Sequence, residues 1–266
     1  MTSPHPLDTR QVINNLFHVR KTIPNEENTD EIADGSVQVD DDDISLGYRL
    51  YIKHSSAPVL LFFHGNGEIA TDYGGIAPFY HTAGLSLLVV DYRGYGWSGG
   101  APLTTKLLPD AEKVFEQIDS ILSASGVVPN RPLFIMGRSL GSAPAIYVAM
   151  NNPDKLQGLI IESGYADAPS LFGRLGIRIP KEVEDDLTLP IGNAEKIKQV
   201  IIPLLVIHGE QDTLIPVYHG EKLHEYAGTI NKQLLIIPDA GHNNVSFVDI
   251  RRYFDAIKQF VDAHLP

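Results

Sequence analysis

The 266-residue sequence contains no cysteine, which excludes disulfides, thiol nucleophiles and thiolate metal sites. Its apolar runs are short, and none approaches the ~18–20 residues that a transmembrane helix requires. Basic residues are outnumbered, with 21 Lys and Arg against 33 Asp and Glu and a net charge of −12. This balance argues against nucleic acid or an anionic membrane surface as a general partner. The segment Met1–Pro6 lacks the basic start and apolar core of a signal peptide, so we expect a cytoplasmic protein without a stable membrane anchor.

Motifs for metal binding are also missing from the sequence. No H-E-x-x-H pattern occurs among the 10 histidines, and there is no thiolate to complete a zinc site. The run Asp40–Asp43 lacks the spaced ligands and the glycine of a calcium loop. We interpret this run as a solvated turn and predict that the protein holds no metal.

Apolar runs typical of buried strands alternate with helical patterns along most of the chain. The strand-like runs cover 59–63, 85–90, 133–136, 156–161, 203–207 and 233–237. The helical patterns cover about 70–82, 105–123, 140–150, 192–200, 216–227 and 246–264. Residues 36–52 alternate with period two, which is typical of antiparallel strands at a sheet edge. The sequence therefore predicts an α/β protein with a doubly wound, mostly parallel sheet of eight strands.

The composition fits one domain, because 43% of the residues are apolar and single α/β domains often exceed 200 residues. We predict that residues 1–35 form a partly irregular N-terminal segment, which includes a polar and partly disordered stretch. Residues 36–266 are then the domain. Within it, residues 164–190 are too few for a full cap domain, and they predict either a short apolar flap or an ordinary connection.

The segment Gly137–Gly141 fits the G-x-S-x-G pattern. An apolar run precedes it and a helix-compatible run follows it, which is the strand–turn–helix context of a nucleophile elbow. Glycines are expected here because a Cβ atom would crowd the sharp turn. Since such a turn projects its central side chain clear of the sheet, we predict that Ser139 is a catalytic nucleophile.

Three further polar loops follow predicted strands, and sites in parallel sheets form at the carboxyl ends of strands. The loop His64–Gly67 offers backbone N–H groups. Asp212 and Glu210 are alternative carboxylates in a second loop. His242 follows the last predicted strand and is a candidate general base. The order serine, acid, histidine along the chain is that of α/β-hydrolases.

These motifs together resemble the α/β-hydrolase superfamily from about residue 35 to the C-terminus. The matching segments are His64–Gly67, Asp91–Gly99, Gly137–Ser142, His208–Asp212 and Gly241–His242. Within the superfamily the chain is similar to the single-domain serine hydrolases that include eukaryotic protein depalmitoylases and their bacterial relatives. Those depalmitoylases carry a lipidated, cysteine-rich N-terminus, so without cysteine their anchor does not carry over. The resemblance also favours Asp212 over Glu210, because H-G-x-x-D before an apolar-Pro step resembles the usual acid loop of this fold.

The resemblance implies a serine hydrolase with a triad of Ser139, Asp212 and His242 and with no cofactor. By the rule for this fold, the oxyanion donors are the backbone N–H groups of Asn66 and Leu140, with Gly65 as the alternative to Asn66. We expect cleavage of an ester or thioester in a small-molecule or acyl-chain substrate. A peptidase with the same triad and a non-catalytic binding module are the alternatives, and the oligomeric state stays open.

Overall fold

The computed structural model describes residues 5–25, 28–40, 43–178 and 191–266. Within these residues eight strands form one sheet in the order β1-β2-β4-β3-β5-β6-β7-β8. The strands are β1 (Ile32–Gln38), β2 (Ser45–Tyr51), β3 (Val59–Phe63), β4 (Ser86–Val90), β5 (Leu133–Arg138), β6 (Gly158–Glu162), β7 (Leu204–Gly209) and β8 (Lys232–Ile237). Strands β1, β2 and β4 pair antiparallel, and the pairs from β4 through β3 to β8 are parallel. The predicted fold is therefore confirmed.

The α-helices of the described residues lie before, between and after these strands. They are α1 (Arg10–Leu16), α2 (Ala77–Thr82), α3 (Leu107–Glu116), α4 (Ile118–Ala124), α5 (Ser142–Asn151), α6 (Ala168–Arg174), α7 (Ala194–Ile197), α8 (Tyr218–Tyr226), α9 (Val245–Val248) and α10 (Ile250–His264). None of these helices is long and apolar enough to cross a lipid bilayer. Of the flap predicted for 164–190, α6 is described, whereas residues 179–190 lie outside the described residues.

The sheet is covered on both faces, which explains the continuous apolar runs of its central strands. In β3, Leu61 and Phe63 join the cluster that includes side chains of α1, α3 and α5. Leu60 and Phe62 join the cluster on the other face, together with side chains of α2 and α10. Successive side chains of a strand point to opposite faces, so every residue of this run is buried.

The first strand begins at Ile32, four residues before the predicted start at 36. The first residues of β1 include the charged Asp34, so the sequence did not predict a strand there. In the structure Asp34 lies opposite Arg49 of β2 in the ladder, and Arg49 donates two hydrogen bonds of 2.6 and 2.5 Å to its carboxylate. The cross-strand ion pair thus keeps a charged residue inside a strand.

Two predicted helices are interrupted where a polar side chain bonds to the backbone. The helix predicted for 105–123 breaks at Gln117. The side-chain amide of Gln117 donates hydrogen bonds to the carbonyl oxygens of Lys113, one turn earlier, and of Gln38 in β1. The helix predicted for 246–264 breaks at Asp249. Its carboxylate accepts a hydrogen bond of 3.0 Å from the N–H of Arg252 and caps α10.

Candidate active site

Ser139 lies in the sharp turn between β5 and α5. Its φ is +52°, a left-handed conformation that is strained for any residue other than glycine. Space around the turn is minimal: a Cβ atom on Gly137 would lie 2.2 Å from the carbonyl oxygen of Gly141. A Cβ atom on Gly141 would lie 2.0 Å from the carbonyl oxygen of Phe63. Both motif glycines are therefore required by backbone packing, and the turn has the form of a nucleophile elbow.

His242 reaches the serine from the loop after β8. Its Nε2 lies 2.9 Å from Ser139 Oγ, and its Nδ1 lies 2.7 Å from Asp212 Oδ2. The three side chains come from loops far apart in the sequence and are all buried. The structure thus brings Ser139, His242 and Asp212 into one hydrogen-bonded chain at the carboxyl edge of the sheet.

Asp212 is held by its own loop as well as by the histidine. Its Oδ1 accepts hydrogen bonds from the N–H groups of Leu214 at 2.9 Å and Ile215 at 2.7 Å. Burial alone raises the pKa of Asp212, but hydrogen bonds from His208 and His242 outweigh it and hold the pKa well below its usual range. The carboxylate is therefore ionised at neutral pH. Glu210, the alternative acid, is exposed.

The oxyanion loop follows β3. Asn66 lines a small pocket together with Ser139 and Leu140. The N–H of Gly65 donates to Glu68 Oε2 at 2.7 Å, so this alternative donor is already engaged. Leu140 directly follows Ser139 in the tight turn Ser139–Gly141 that leads into α5, where amides have no intrahelical acceptor. The arrangement leaves the N–H groups of Asn66 and Leu140 as the candidate pair of donors.

Arg138 joins three of these loops behind the nucleophile. Its guanidinium forms an ion pair with Glu68 and donates to Glu162 Oε1 at 3.1 Å. It also donates to the carbonyl oxygen of His242 at 2.9 Å and to Asn243 Oδ1 at 3.1 Å. The nucleophile elbow, the oxyanion loop and the base loop are thereby tied to one side chain.

Glu68 extends this connection and was not singled out from the sequence. Besides Arg138 and the N–H of Gly65, it accepts a hydrogen bond of 2.7 Å from the hydroxyl of Tyr73. A charged residue three positions after Gly65 in a strand-end loop is the signal that could have marked it. His64, the first residue of this loop, is fully buried, and its carbonyl oxygen accepts a hydrogen bond of 2.6 Å from the hydroxyl of Tyr92, which anchors the start of the loop.

The pocket beside Ser139 is narrow and apolar, with a volume of about 40 Å³. The described residues that line it are Leu16, Asn66, Ser139, Leu140, Leu171, Leu175, Leu214 and Ile215. None of these side chains carries a charge. Across the described ranges of the chain, no group of three or more His, Asp or Glu side chains is placed to hold a metal ion. The described residues thus place a hydroxyl that bonds to an imidazole, and two candidate N–H donors, beside an aliphatic wall.

The sheet and the strand-end site together define a protein of the α/β-hydrolase class. The family model described as serine aminopeptidase, S33, matches residues 54–189, just over half of the chain, and the chain belongs to this family.

Relatives are consistent with this family, and a solved structure shares the fold. The uncharacterized protein Rv2307c of Mycobacterium tuberculosis is 32% identical over 222 residues, which cover 81% of this chain and 75% of that protein. The α/β hydrolase domain-containing protein aho-3 of Caenorhabditis elegans is 30% identical over 207 residues, or 76% of this chain. The match spans only 57% of the length of aho-3. The esterase Pf2001 of Pyrococcus furiosus shares the fold, with a TM-score of 0.72 at 19% identity over 93% of this chain and 99% of that chain.

Proposed function

We propose that the protein is a serine hydrolase that cleaves a carboxylic ester or thioester through an acyl-enzyme on Ser139. The observation that carries the proposal is the chain of hydrogen bonds from Asp212 through His242 to Ser139, at 2.7 and 2.9 Å. A serine hydroxyl is a weak nucleophile unless an oriented base takes its proton. This geometry supports His242 as that base and Asp212 as the group that orients it.

In the proposed reaction Ser139 Oγ attacks the acyl carbonyl while His242 Nε2 takes the hydroxyl proton. The ionised Asp212 accepts a hydrogen bond from His242 Nδ1, which fixes the tautomer and stabilises the imidazolium. The N–H groups of Asn66 and Leu140 bind the oxyanion. His242 then protonates the leaving alcohol or thiol, and a water molecule repeats the sequence on the acyl-enzyme.

The pocket supports an acyl substrate over a peptide. An aminopeptidase must bind the ammonium group of its substrate, and a carboxylate close to the nucleophile is the ordinary means. The described residues that line the pocket beside Ser139 include no charged side chain. An uncharged aliphatic acyl group matches this lining instead, so we favour ester or thioester cleavage within the family.

The test compares the protein with its Ser139→Ala variant on p-nitrophenyl esters, acyl thioesters and aminoacyl arylamides. We expect ester or thioester turnover that falls about 10⁴–10⁶-fold in the variant. Ser123→Ala, at an exposed position on α4, is the matched control and should keep full activity. A fluorophosphonate probe should label the protein and the control but not Ser139→Ala.

Two outcomes would contradict the proposal. Faster cleavage of arylamides than of esters would make the protein a peptidase or amidase with the same triad. Failure of the probe to label the folded protein would make it a binding module on a hydrolase scaffold.

A further inference from the structure

Residues 5–25 form a segment that we call the N-terminal strap, and it is fixed to the hydrolase at both ends. Near its start, the carbonyl of Leu7 accepts a hydrogen bond of 2.8 Å from the hydroxyl of Thr104. Near its end, the carbonyl of Arg20 accepts from the N–H of Gly96 at 2.9 Å. Lys21 also donates to the carbonyl of Ser98 at 3.0 Å. The strap is therefore held in place against the body of the protein.

Between these anchors the strap contacts the oxyanion loop directly. The N–H of His18 donates to Asn66 Oδ1 at 2.7 Å, and the amide nitrogen of Asn66 lies 2.7 Å from His18 Nδ1. The hydroxyl of Tyr95 donates to the same Asn66 oxygen at 2.8 Å. These bonds fix the strap at the residue that we propose as an oxyanion donor, so the position of the strap and the shape of the site are coupled.

Two residues before His18, at the end of α1, the side chain of Leu16 lines the pocket beside Ser139. It is 2% exposed and packs into the main core cluster. A pocket of about 40 Å³ is far smaller than the ~300–1,000 Å³ of typical ligand sites. It therefore has room for only a short aliphatic chain.

Leu16 is suited to limit this chain because it takes no part in the proposed chemistry. Two other wall residues do: the N–H of Leu140 is a proposed oxyanion donor, and the N–H of Ile215 holds Asp212. Leu214 is 39% exposed and so closes the pocket less tightly. Leu16 instead projects from a helix outside the catalytic loops.

We propose that the N-terminal strap is part of the acyl-binding site and that Leu16 is a specificity-determining residue that restricts the protein to short acyl chains. This proposal rests on the proposed ester or thioester hydrolysis at Ser139. The substrate class it names is an ester or thioester of a short, uncharged aliphatic acid.

The experiment measures kcat/KM for p-nitrophenyl esters from acetate to octanoate. The unmodified protein should prefer the shortest chains. Leu16→Ala lengthens the pocket, and its octanoate-to-acetate ratio of kcat/KM should rise at least about tenfold, since each methylene accommodated or excluded is worth ~10-fold or more. Leu16→Phe shortens the pocket and should lower the butyrate-to-acetate ratio by a similar factor. If Leu16→Ala does not fold, the smaller change Leu16→Val replaces it and should also raise the octanoate-to-acetate ratio.

Leu122→Ala is the matched control, because it removes the same group from a fully buried position on α4, outside the strap. It should leave the chain-length profile unchanged. The proposal is overturned if the protein hydrolyses esters but the Leu16 variants keep its profile within twofold, or if Leu122→Ala shifts the profile as much as Leu16→Ala. Absence of any Ser139-dependent hydrolysis would instead overturn the proposed function, and this proposal with it.

Discussion

Replacing Arg138 by methionine removes the side chain that joins the nucleophile elbow to the loops on either side of it. The guanidinium contacts the carboxylates of Glu68 and Glu162, the carbonyl of His242 and the amide of Asn243. Methionine has a similar length but neither charge nor donors. The variant therefore leaves two carboxylates without their cation and frees the loop that carries the base.

The loss of stability follows from the burial of the two carboxylates. Removing one partner from a buried ion pair costs about 3–5 kcal/mol. The side chain of Glu162 is 6% exposed and that of Glu68 is 25% exposed. Both border an open cavity of about 320 Å³, which lets water reach them and lowers the cost. We expect Arg138→Met to lose about 3 kcal/mol of the free energy of unfolding.

The loss of activity has a different cause, so the two effects can be separated. A displacement of about 1 Å in a catalytic group can lower turnover by about 10². Without the bond from Arg138 to its carbonyl, His242 should be less well placed, and kcat should fall about 10–100-fold. Because Arg138 does not line the pocket beside Ser139, KM for a short ester should change little.

The assay pairs urea unfolding with ester kinetics for Arg138→Met, Arg138→Lys and the double variant Arg138→Met/Glu68→Gln. Lysine keeps the charge but not the planar set of donors, so it should lose less stability than methionine yet still lower kcat. The double variant removes one unpaired carboxylate and should recover stability without recovering kcat. Turnover of Arg138→Met within twofold of the unmodified protein would refute the reasoning, as would recovery of kcat together with stability.

Three further predictions concern separate parts of the fold. Asp212→Asn should lower kcat by about 10⁴ in ester kinetics because it favours the wrong histidine tautomer; a loss below tenfold would show that another group orients the base. Burial lowers the pKa of His219 to about 4, whereas the unfolded chain binds this proton near pH 6.5. Urea titrations should therefore show that the free energy of unfolding decreases as pH falls from 6.5 to 4, and that this decrease is smaller in His219→Gln. Gly141→Ala should cost about 4 kcal/mol or more, because its Cβ would lie 2.0 Å from the carbonyl of Phe63. Gly173→Ala, in α6 with nothing within 4 Å of its Cβ, should be neutral or stabilising in the same urea experiment.

The strand pattern and the order of the three polar loops were predictable because both follow from rules that act locally. The strand predicted for 59–63 has the same bounds in the structure, since each of its side chains faces one of two covered sides. The proximity of Ser139, Asp212 and His242 follows once their strands are parallel, because the carboxyl ends then lie at one edge. No finer knowledge of packing was needed for that inference.

The contacts between the strap and the site were not predictable, because they join residues that are distant in the sequence. Leu16 and His18 stand in a stretch with no strand pattern and no motif, and His18 bonds to Asn66, 48 positions away. The sequence of the strap would show the same pattern if the strap lay elsewhere on the surface. Only the three-dimensional packing relates it to the site.

The ion pair between Arg138 and Glu162 was predictable only in part. Each residue ends an apolar run, and a charge at the end of a buried strand reads by itself as a solvated loop residue. In the structure β5 and β6 are parallel neighbours, and Arg138 is the register partner of Glu162. Once the strand order is known, opposite charges at the carboxyl ends of adjacent strands predict the pair without any side-chain coordinates. The residues that position the catalytic loops are therefore encoded in the sequence, but they become readable only after the topology has been fixed.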